Sequence, residues 1–372
     1  MSPERIDQVV PSFGGRDAIG VHILHVRQLL RDLGYRSDIW CRGAFPEVRS
    51  ECRLLDDLPA RPRPGTWWMY HLSNGSPAAE LIWARPEPVL VDYHNITPTS
   101  FFDPWLPWAA ESADEGRGQM RQLAGRCFFA LADSSYNEAE LRAEGYDPTV
   151  VVPPLFDLQS MAPDRAVLER RRAERAEGGA DWLFVGRVSP SKAQHDVVKA
   201  FACYRRLHDP KARLHLIGTG FGEAYPAAVR RFAAVLGVAD AVTLPGAVSD
   251  GELAAYYASA DVFVCASEHE GFCIPLVEAM HAGVPVVAYD AAAVAETCAT
   301  GALVVADKSP LALAEAVHRV LDDSTLQARL VGAGRRRAAD FTLAAGRKRW
   351  EQALAQALEA SNGGRLSGAG HP

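Results

Sequence analysis

Two carboxylates eight positions apart, Glu270 and Glu278 in EHEGFCIPLVEAM (268–280), have the residue type and spacing to do chemistry. The stretch before them, DVFVCA (261–266), is a short apolar run rich in β-formers and predicts a buried strand. Pro275 suits the first turn of a helix, and Gly283 the position just past its end. Glu270 therefore falls in the loop after a strand, and Glu278 on the helix that follows. Such a loop lies at the carboxyl edge of an open α/β sheet, where ligands bind. Glu270 is expected to be exposed there rather than built into the core.

A second candidate is FVGRVSPSKAQHDVVKAF (184–201), where a strand ends at Gly186 and Arg187 and Lys192 flank a Ser-Pro-Ser turn before a helix. Two cations at a helix N-terminus suit a diphosphate; the alternative is a pair of solvated loop cations. In the first half, Gly14-Gly15 lets backbone N–H groups come close to a ligand, and Asp17-Ala-Ile-Gly20 opens the next helix. That pair is neither the dinucleotide fingerprint nor a Walker loop, and a plain tight turn accounts for it equally. No Asp-x-Asp triplet occurs, so Arg187 and Lys192 would have to neutralise a diphosphate without a carboxylate-held metal. Other polar residues read as bland. His22 and His25 share a helix with no third ligand nearby, as packing or surface groups, and His269 is a solvated loop residue. At least one of Trp67 and Trp68 is expected in the core. The Arg335–Arg337 run is either a solvated helix face or a contact for phospholipid.

The elements that position these residues come in two series. RIDQVVPSF (5–13), RSDIWC (36–41), TWWMYHLS (66–73), PVLVDYH (88–94) and CFFALADS (127–134) read as strands, most of them separated by helical periodicity. The second series is DWLFVGRV (181–188), ARLHLIGTG (212–220), AVTLPGAV (241–248), DVFVCAS (261–267), VPVVAYD (284–290) and ALVV (302–305). This β-α-β rhythm implies parallel sheets covered on both faces. A chain of 372 residues is too long for one core. The expected organisation is a first domain over 1–152, a connection over 153–180 that includes a solvated helix, and a second domain over 181–340. A helix over 341–360 crosses back to the first domain, and a disordered tail covers 361–372. The net charge of -7 argues against a nucleic-acid partner. Seven cysteines without zinc spacing read as free thiols in a reducing cytoplasm. No signal segment or spanning run is apparent, which suggests a cytoplasmic protein with at most peripheral contact at the inner face of a membrane.

Taken in order, the Gly-Gly turn with DAIG, YHNITP (93–98), DSSYN (133–137), FVGRVSPSK, LHLIGTG, LPGAVSDGEL (244–253), E-x7-E and GVPVVAYD resemble family 4 of the retaining, GT-B-fold glycosyltransferases. The resemblance covers most of the chain. It implies an α/β fold of two Rossmann-like, doubly wound parallel-sheet domains facing a central cleft. It also implies a nucleoside diphosphate sugar as donor and a carbohydrate, lipid-linked or small-molecule acceptor, with no cofactor and no metal. By the same resemblance Glu270 lies against the transferred sugar, and the N–H groups of Gly271, Phe272 and Cys273 hold sugar hydroxyls or phosphate. Glu278 accepts from the ribose hydroxyls, Arg187 and Lys192 bind the diphosphate, and the segment around Val248 holds the base. Gly14 and Gly15 lie on the donor side, and His94 faces the donor sugar; local turn capping is the other account of His94. His71, Ser73 and Asn74, at a strand end, could reach the acceptor. A GT-B-fold epimerase or phosphorylase, or a non-enzymatic nucleotide-sugar-binding protein, are the rival readings.

Overall fold

The computed structural model describes residues 2–15, 17–103, 105–160 and 162–362. The chain divides into two compact units, Met1–Ser100 with Trp108–Phe156 and Phe341–Pro372, and Phe101–Pro107 with Asp157–Asp340. The sequence reading differs at three places. Residues 101–107 come from the first half of the sequence but belong to the second unit, because Phe102 packs edge-on against Phe221 and Trp105 against Tyr225. Residues 157–180 also belong to that unit rather than forming a separate connection. Of the expected tail, Ser361 and Asn362 complete a helix, and 363–372 lie outside the described residues.

Unit 1 holds β1 (Arg5–Phe13), α1 (Ala18–Asp32), β2 (Ile39–Ala44), β3 (Arg53–Leu54), β4 (Thr66–Leu72), α2 (Pro77–Trp83), β5 (Val89–Tyr93), α3 (Pro107–Ala124), β6 (Cys127–Ala132), α4 (Ser135–Ala143) and β7 (Thr149–Val151). Its seven strands run in the order β3-β2-β1-β4-β5-β6-β7, and all the pairings are parallel. β3 and β7 have no counterpart in the sequence reading; they are two and three residues long, too short to show a period. All seven residues of β4 are buried, Trp67 and Trp68 among them, as expected of a central strand covered on both faces.

Unit 2 holds α5 (Arg165–Ala176), β8 (Asp181–Val185), α6 (Gln194–Leu207), β9 (Arg213–Ile217), α7 (Ala224–Val235), β10 (Val242–Gly246), α8 (Asp250–Ser259), β11 (Val262–Cys265), α9 (Ile274–Ala282), β12 (Val286–Tyr289), α10 (Val294–Cys298), β13 (Ala302–Val305), α11 (Pro310–Asp322) and α12 (Ser324–Ala339). The sheet order is β10-β9-β8-β11-β12-β13. Trp182, Phe184, Phe201, Leu214 and Val317 share its main core. α5 is not simply solvated. Arg171 is buried and donates to Asp181 at 3.1 Å, while Arg213 reaches the same carboxylate at 2.8 Å. The remaining helix, α13 (Leu343–Asn362), belongs to unit 1, where Trp350 donates to the Pro153 carbonyl at 3.1 Å and packs on His22.

Both sheets are doubly wound, and in each the strand order reverses between two neighbours: β1 and β4 in unit 1, β8 and β11 in unit 2. Loops leaving two such strands diverge to opposite faces and open a crevice at the carboxyl edge. That places two candidate sites, one per sheet.

Candidate functional site

In unit 2 the loops after β8 and β11 meet. Gly186 has φ 151° and Gly218 φ 140°, and a Cβ on Gly218 would lie 2.1 Å from the Gly186 carbonyl oxygen. Only glycine lets the loops after β8 and β9 approach that closely beside them. The turn Pro190–Lys192 follows, and Lys192 donates through Nζ to Glu270 Oε2 at 2.5 Å and to the His269 carbonyl at 3.2 Å. The Glu268 N–H bonds the Ser191 carbonyl at 2.9 Å, so the loops are tied by backbone as well. Glu270 is 7% exposed, against the expectation of an open loop carboxylate. The cause is Lys192, whose ammonium compensates the charge and permits the burial. His269 is likewise 5% exposed rather than solvated, with its ring against Phe101.

Beyond Glu270 the chain turns sharply into α9. The Phe272 carbonyl accepts from Thr297 Oγ1 at 2.5 Å, and Cys273 adopts φ 70° at the helix N-cap without a side-chain cap bond. The first N–H groups of α9 therefore meet no side-chain acceptor of their own cap residue, which suits an anion. One turn on, half-buried Glu278 accepts from the Tyr257 hydroxyl at 2.7 Å. Burial raises its carboxyl above the ordinary range, outweighing that hydrogen bond. The Arg187 guanidinium sits 4.0 Å from the Phe221 ring centre, and Gln194 donates to its carbonyl at 2.8 Å. Val248 is half-buried in the loop between β10 and α8. The sequence-derived residues of this half thus gather at one sheet edge, and Lys192 and Glu270 touch.

In unit 1 the double glycine is closely packed by side chains. A Cβ on Gly14 would meet Asp17 Oδ2 at 2.3 Å and one on Gly15 would meet Val48 Cγ1 at 2.5 Å, while Asp17 caps α1 through the Gly20 N–H at 2.8 Å. Beside it the ends of β4, β5 and β6 hold a buried polar cluster. Asp92 Oδ2 lies 2.9 Å from His22 Nε2, 3.2 Å from His71 Nδ1 and 3.4 Å from His94 Nε2. His71 Nδ1 and His94 Nε2 are 3.0 Å apart, and His94 Nδ1 is 3.1 Å from Asp133. The His94 imidazole is 2% exposed, and His71 and Asp92 are wholly buried. His71 is therefore turned into the sheet and not toward an acceptor; half-buried Ser73 and exposed Asn74 remain at the strand end.

Residues 168–337 match the family described as glycosyl transferases, group 1. That stretch, inside unit 2, is similar to the group 1 glycosyl transferases. The chain is 35% identical over 204 residues to a D-inositol 3-phosphate glycosyltransferase of Geodermatophilus obscurus, covering 52% of this chain and 44% of that one. It is 32% identical over 233 residues to a GDP-mannose-dependent alpha-(1-6)-phosphatidylinositol monomannoside mannosyltransferase of Mycobacterium tuberculosis, covering 59% of each. The chain spans about half the length of these curated relatives. Among solved structures it is similar to Anabaena HepE in complex with UDP-glucose, with a TM-score of 0.76 at 17% identity over 94% of this chain and 99% of that one. The GT-B arrangement of two Rossmann-like domains is the shared fold.

The residues missed by sequence reasoning are Gln8, His22, Asp92 and Asp133. His22 was set aside for want of a third polar partner nearby, yet its partner Asp92 is 70 residues away in sequence. The usable signal was an Asp inside each apolar strand run, VLVDY and FALAD, where a buried charge needs a partner.

Proposed function

We propose that the chain is a retaining glycosyltransferase that moves a hexose-type sugar from a nucleoside diphosphate sugar to an acceptor hydroxyl, without a metal ion. The observation that carries this reading is the Lys192–Glu270 pair beside the N-terminus of α9, at the point where the sheet order of unit 2 reverses. Such a pair can exchange partners. A diphosphate would take the ammonium, joined by the Arg187 guanidinium and the α9 N–H groups, while the freed Glu270 carboxylate accepts from sugar hydroxyls. Glu278 would accept from ribose hydroxyls, and the Val248 loop would lie along the base.

In this mechanism the bond from C1 to the phosphate oxygen breaks and the acceptor oxygen bonds C1 on the same face. The acceptor proton passes to the departing phosphate oxygen, whose negative charge is held by Arg187 and Lys192. Catalysis rests on orientation and charge stabilisation, and no side chain becomes covalently bound. His94 keeps its place in the reading with a different part. Its two ring nitrogens are engaged by Asp133 and His71, so it positions the β5 edge rather than offering a ring nitrogen to sugar. The acceptor is a glycan, a glycolipid or a small natural product. Contact with a membrane face would involve the exposed Arg335 and Arg336; no helix among the described residues is long and apolar enough to cross a bilayer.

The test is a screen of UDP- and GDP-sugars by thermal shift, followed by transfer to simple acceptors and NMR of the product. A donor that binds should raise Tm with the logarithm of its concentration once that exceeds Kd. An α-linked donor should give an α-linked product, and a β-linked product would overturn retention.

A further inference from the structure

The cluster in unit 1 contains a contact that two neutral histidines cannot make beside an ionised Asp133. Gln8 Nε2 donates to the Ile23 carbonyl at 3.2 Å, which turns its Oε1 toward His71 Nε2 at 2.9 Å. An amide oxygen only accepts, so His71 carries its proton on Nε2 and leaves Nδ1 a lone pair. Burial raises the Asp133 carboxyl, but with Asp133 ionised its carboxylate draws the His94 proton to Nδ1, leaving Nε2 a lone pair. Those two lone pairs face each other at 3.0 Å. Something positive has to lie between them.

A proton fits and a metal ion does not. The ring planes differ by 8° and the ring centres are 5.3 Å apart, which is the 3.0 Å contact plus one ring radius at either end. The nitrogens therefore point straight at each other instead of converging on a third point. An ion on that line would sit about 1.5 Å from each nitrogen, halfway along the 3.0 Å contact, whereas metal–imidazole bonds need about 2.0 Å. His22 cannot complete a ligand set either. Its Nδ1 accepts from the Leu155 N–H at 2.8 Å, so its Nε2 carries a proton and donates to Asp92.

We propose that unit 1 holds a buried proton, shared as an imidazolium–imidazole hydrogen bond from His94 Nε2 to His71 Nδ1, and that His71 and Asp133 are positioning residues which fix His94 at the carboxyl edge of the sheet. The groups facing the pair are Gln8 of β1, His22 of α1, His71 of β4, Asp92 of β5 and Asp133 just after β6, with Trp350 of α13 against His22. Burial alone would lower the His94 pKa, but Asp92 and Asp133 together raise it well above the ordinary value. Burial lowers those of His22 and His71, against the pull of Asp92, so both stay neutral. The consequence has a definite sign. A raised folded-state pKa makes the His94 contribution whole below the ordinary histidine pKa, and it is lost as pH rises through the raised value. Deprotonation leaves two lone pairs opposed at 3.0 Å, and the residue after His94, Asn95 at φ 73°, loses its anchored neighbour.

The use of this proton in catalysis rests on the sugar-transfer reading, but its presence does not. The full chain, labelled with 15N-histidine, should show one histidine with both ring N–H protons intact and slowly exchanging at pH 8. Those resonances should vanish in His94→Gln. If all eleven histidines are neutral at pH 8, or the purified chain carries one equivalent of a transition metal, the proposal is overturned. For the positioning role, Asp133→Asn should move the alkaline limb of the kcat profile down by at least one pH unit with donor KM within twofold. An unmoved limb would refute that role. Failure to transfer any nucleotide sugar would sink the functional reading, while the resonances still decide the proton.

Discussion

The two sheets reverse their strand order at equivalent places, yet they hold charge there in opposite ways. In unit 1 the carboxylates Asp92 and Asp133 are buried and answered by histidines whose every nitrogen has a partner. In unit 2 the Lys192 ammonium sits on a loop, 23% exposed, and its carboxylate partner is on the next loop. Exchanging the histidine partners of unit 1 for a ligand would leave a buried charge alone. A loop-borne pair can be exchanged without doing so. In the proposed reading the first edge positions and the second exchanges its partner for ligand.

The largest effect expected on stability follows from that division. Asp92→Ala leaves His94 charged and buried with one carboxylate fewer, so unfolding free energy should fall by about 3–5 kcal/mol, the scale for breaking a buried pair. Lys192→Ala strands the Glu270 carboxylate, but on a loop that water can reach once the lysine is gone, so it should cost less, about 1–3 kcal/mol. Urea titration of both variants checks the contrast. Equal losses would erase the distinction between the two edges.

For turnover the ranking inverts. Lys192→Ala removes a charge aimed at the leaving diphosphate and should lower kcat roughly 10²–10³-fold, as losing one preorganised donor does. Arg187→Ala should act in the same direction, and Glu270→Gln should lose most transfer while keeping nucleotide affinity. The measurement is kcat under saturating donor alongside calorimetry with the nucleoside alone. Weak nucleoside binding with normal saturated turnover would remove both cations from the diphosphate role.

Most of the framework was legible in the residues. RIDQVVPSF is β1 to the residue, and the Pro275 and Gly283 signals bracket α9. These signals are local, and each rests on a run or a cap. What was not legible depends on contacts between distant segments. Glu270 reads as exposed until Lys192, 78 residues earlier, is placed beside it. His269 reads as solvated until Phe101 leaves the first half of the sequence to cover it. The histidine cluster joins four strands and α1, and no window of sequence contains two of its bonds.

Glu278 sharpens the comparison within unit 2, because it is held by a hydroxyl rather than a charge. Among the described residues it accepts from Tyr257 at 2.7 Å, and burial already raises its carboxyl pKa. Ribose hydroxyls would add donors and favour the ionised form. Glu278→Ala should therefore weaken nucleoside diphosphate binding about ten- to a hundredfold, or roughly 1.5–3 kcal/mol. Calorimetry reads this directly, and unchanged affinity would take Glu278 out of the ribose role.

The smallest effect is expected from chelation. A divalent ion would be needed only if the departing diphosphate lacked countercharge, and unit 2 offers Lys192, Arg187 and the N-terminus of α9 at one sheet edge. The carboxylate best placed to carry such an ion, Glu270, already has Lys192 at 2.5 Å, so an ion there would compete with an ammonium for the same oxygen. On the proposal above, the cluster in unit 1 holds a proton between its facing nitrogens and would supply no ion either. Transfer rates should thus agree within twofold with excess EDTA and without it. A loss that magnesium or manganese restores would show that the cations of unit 2 do not suffice, and would move the search for metal ligands to the donor's own phosphates.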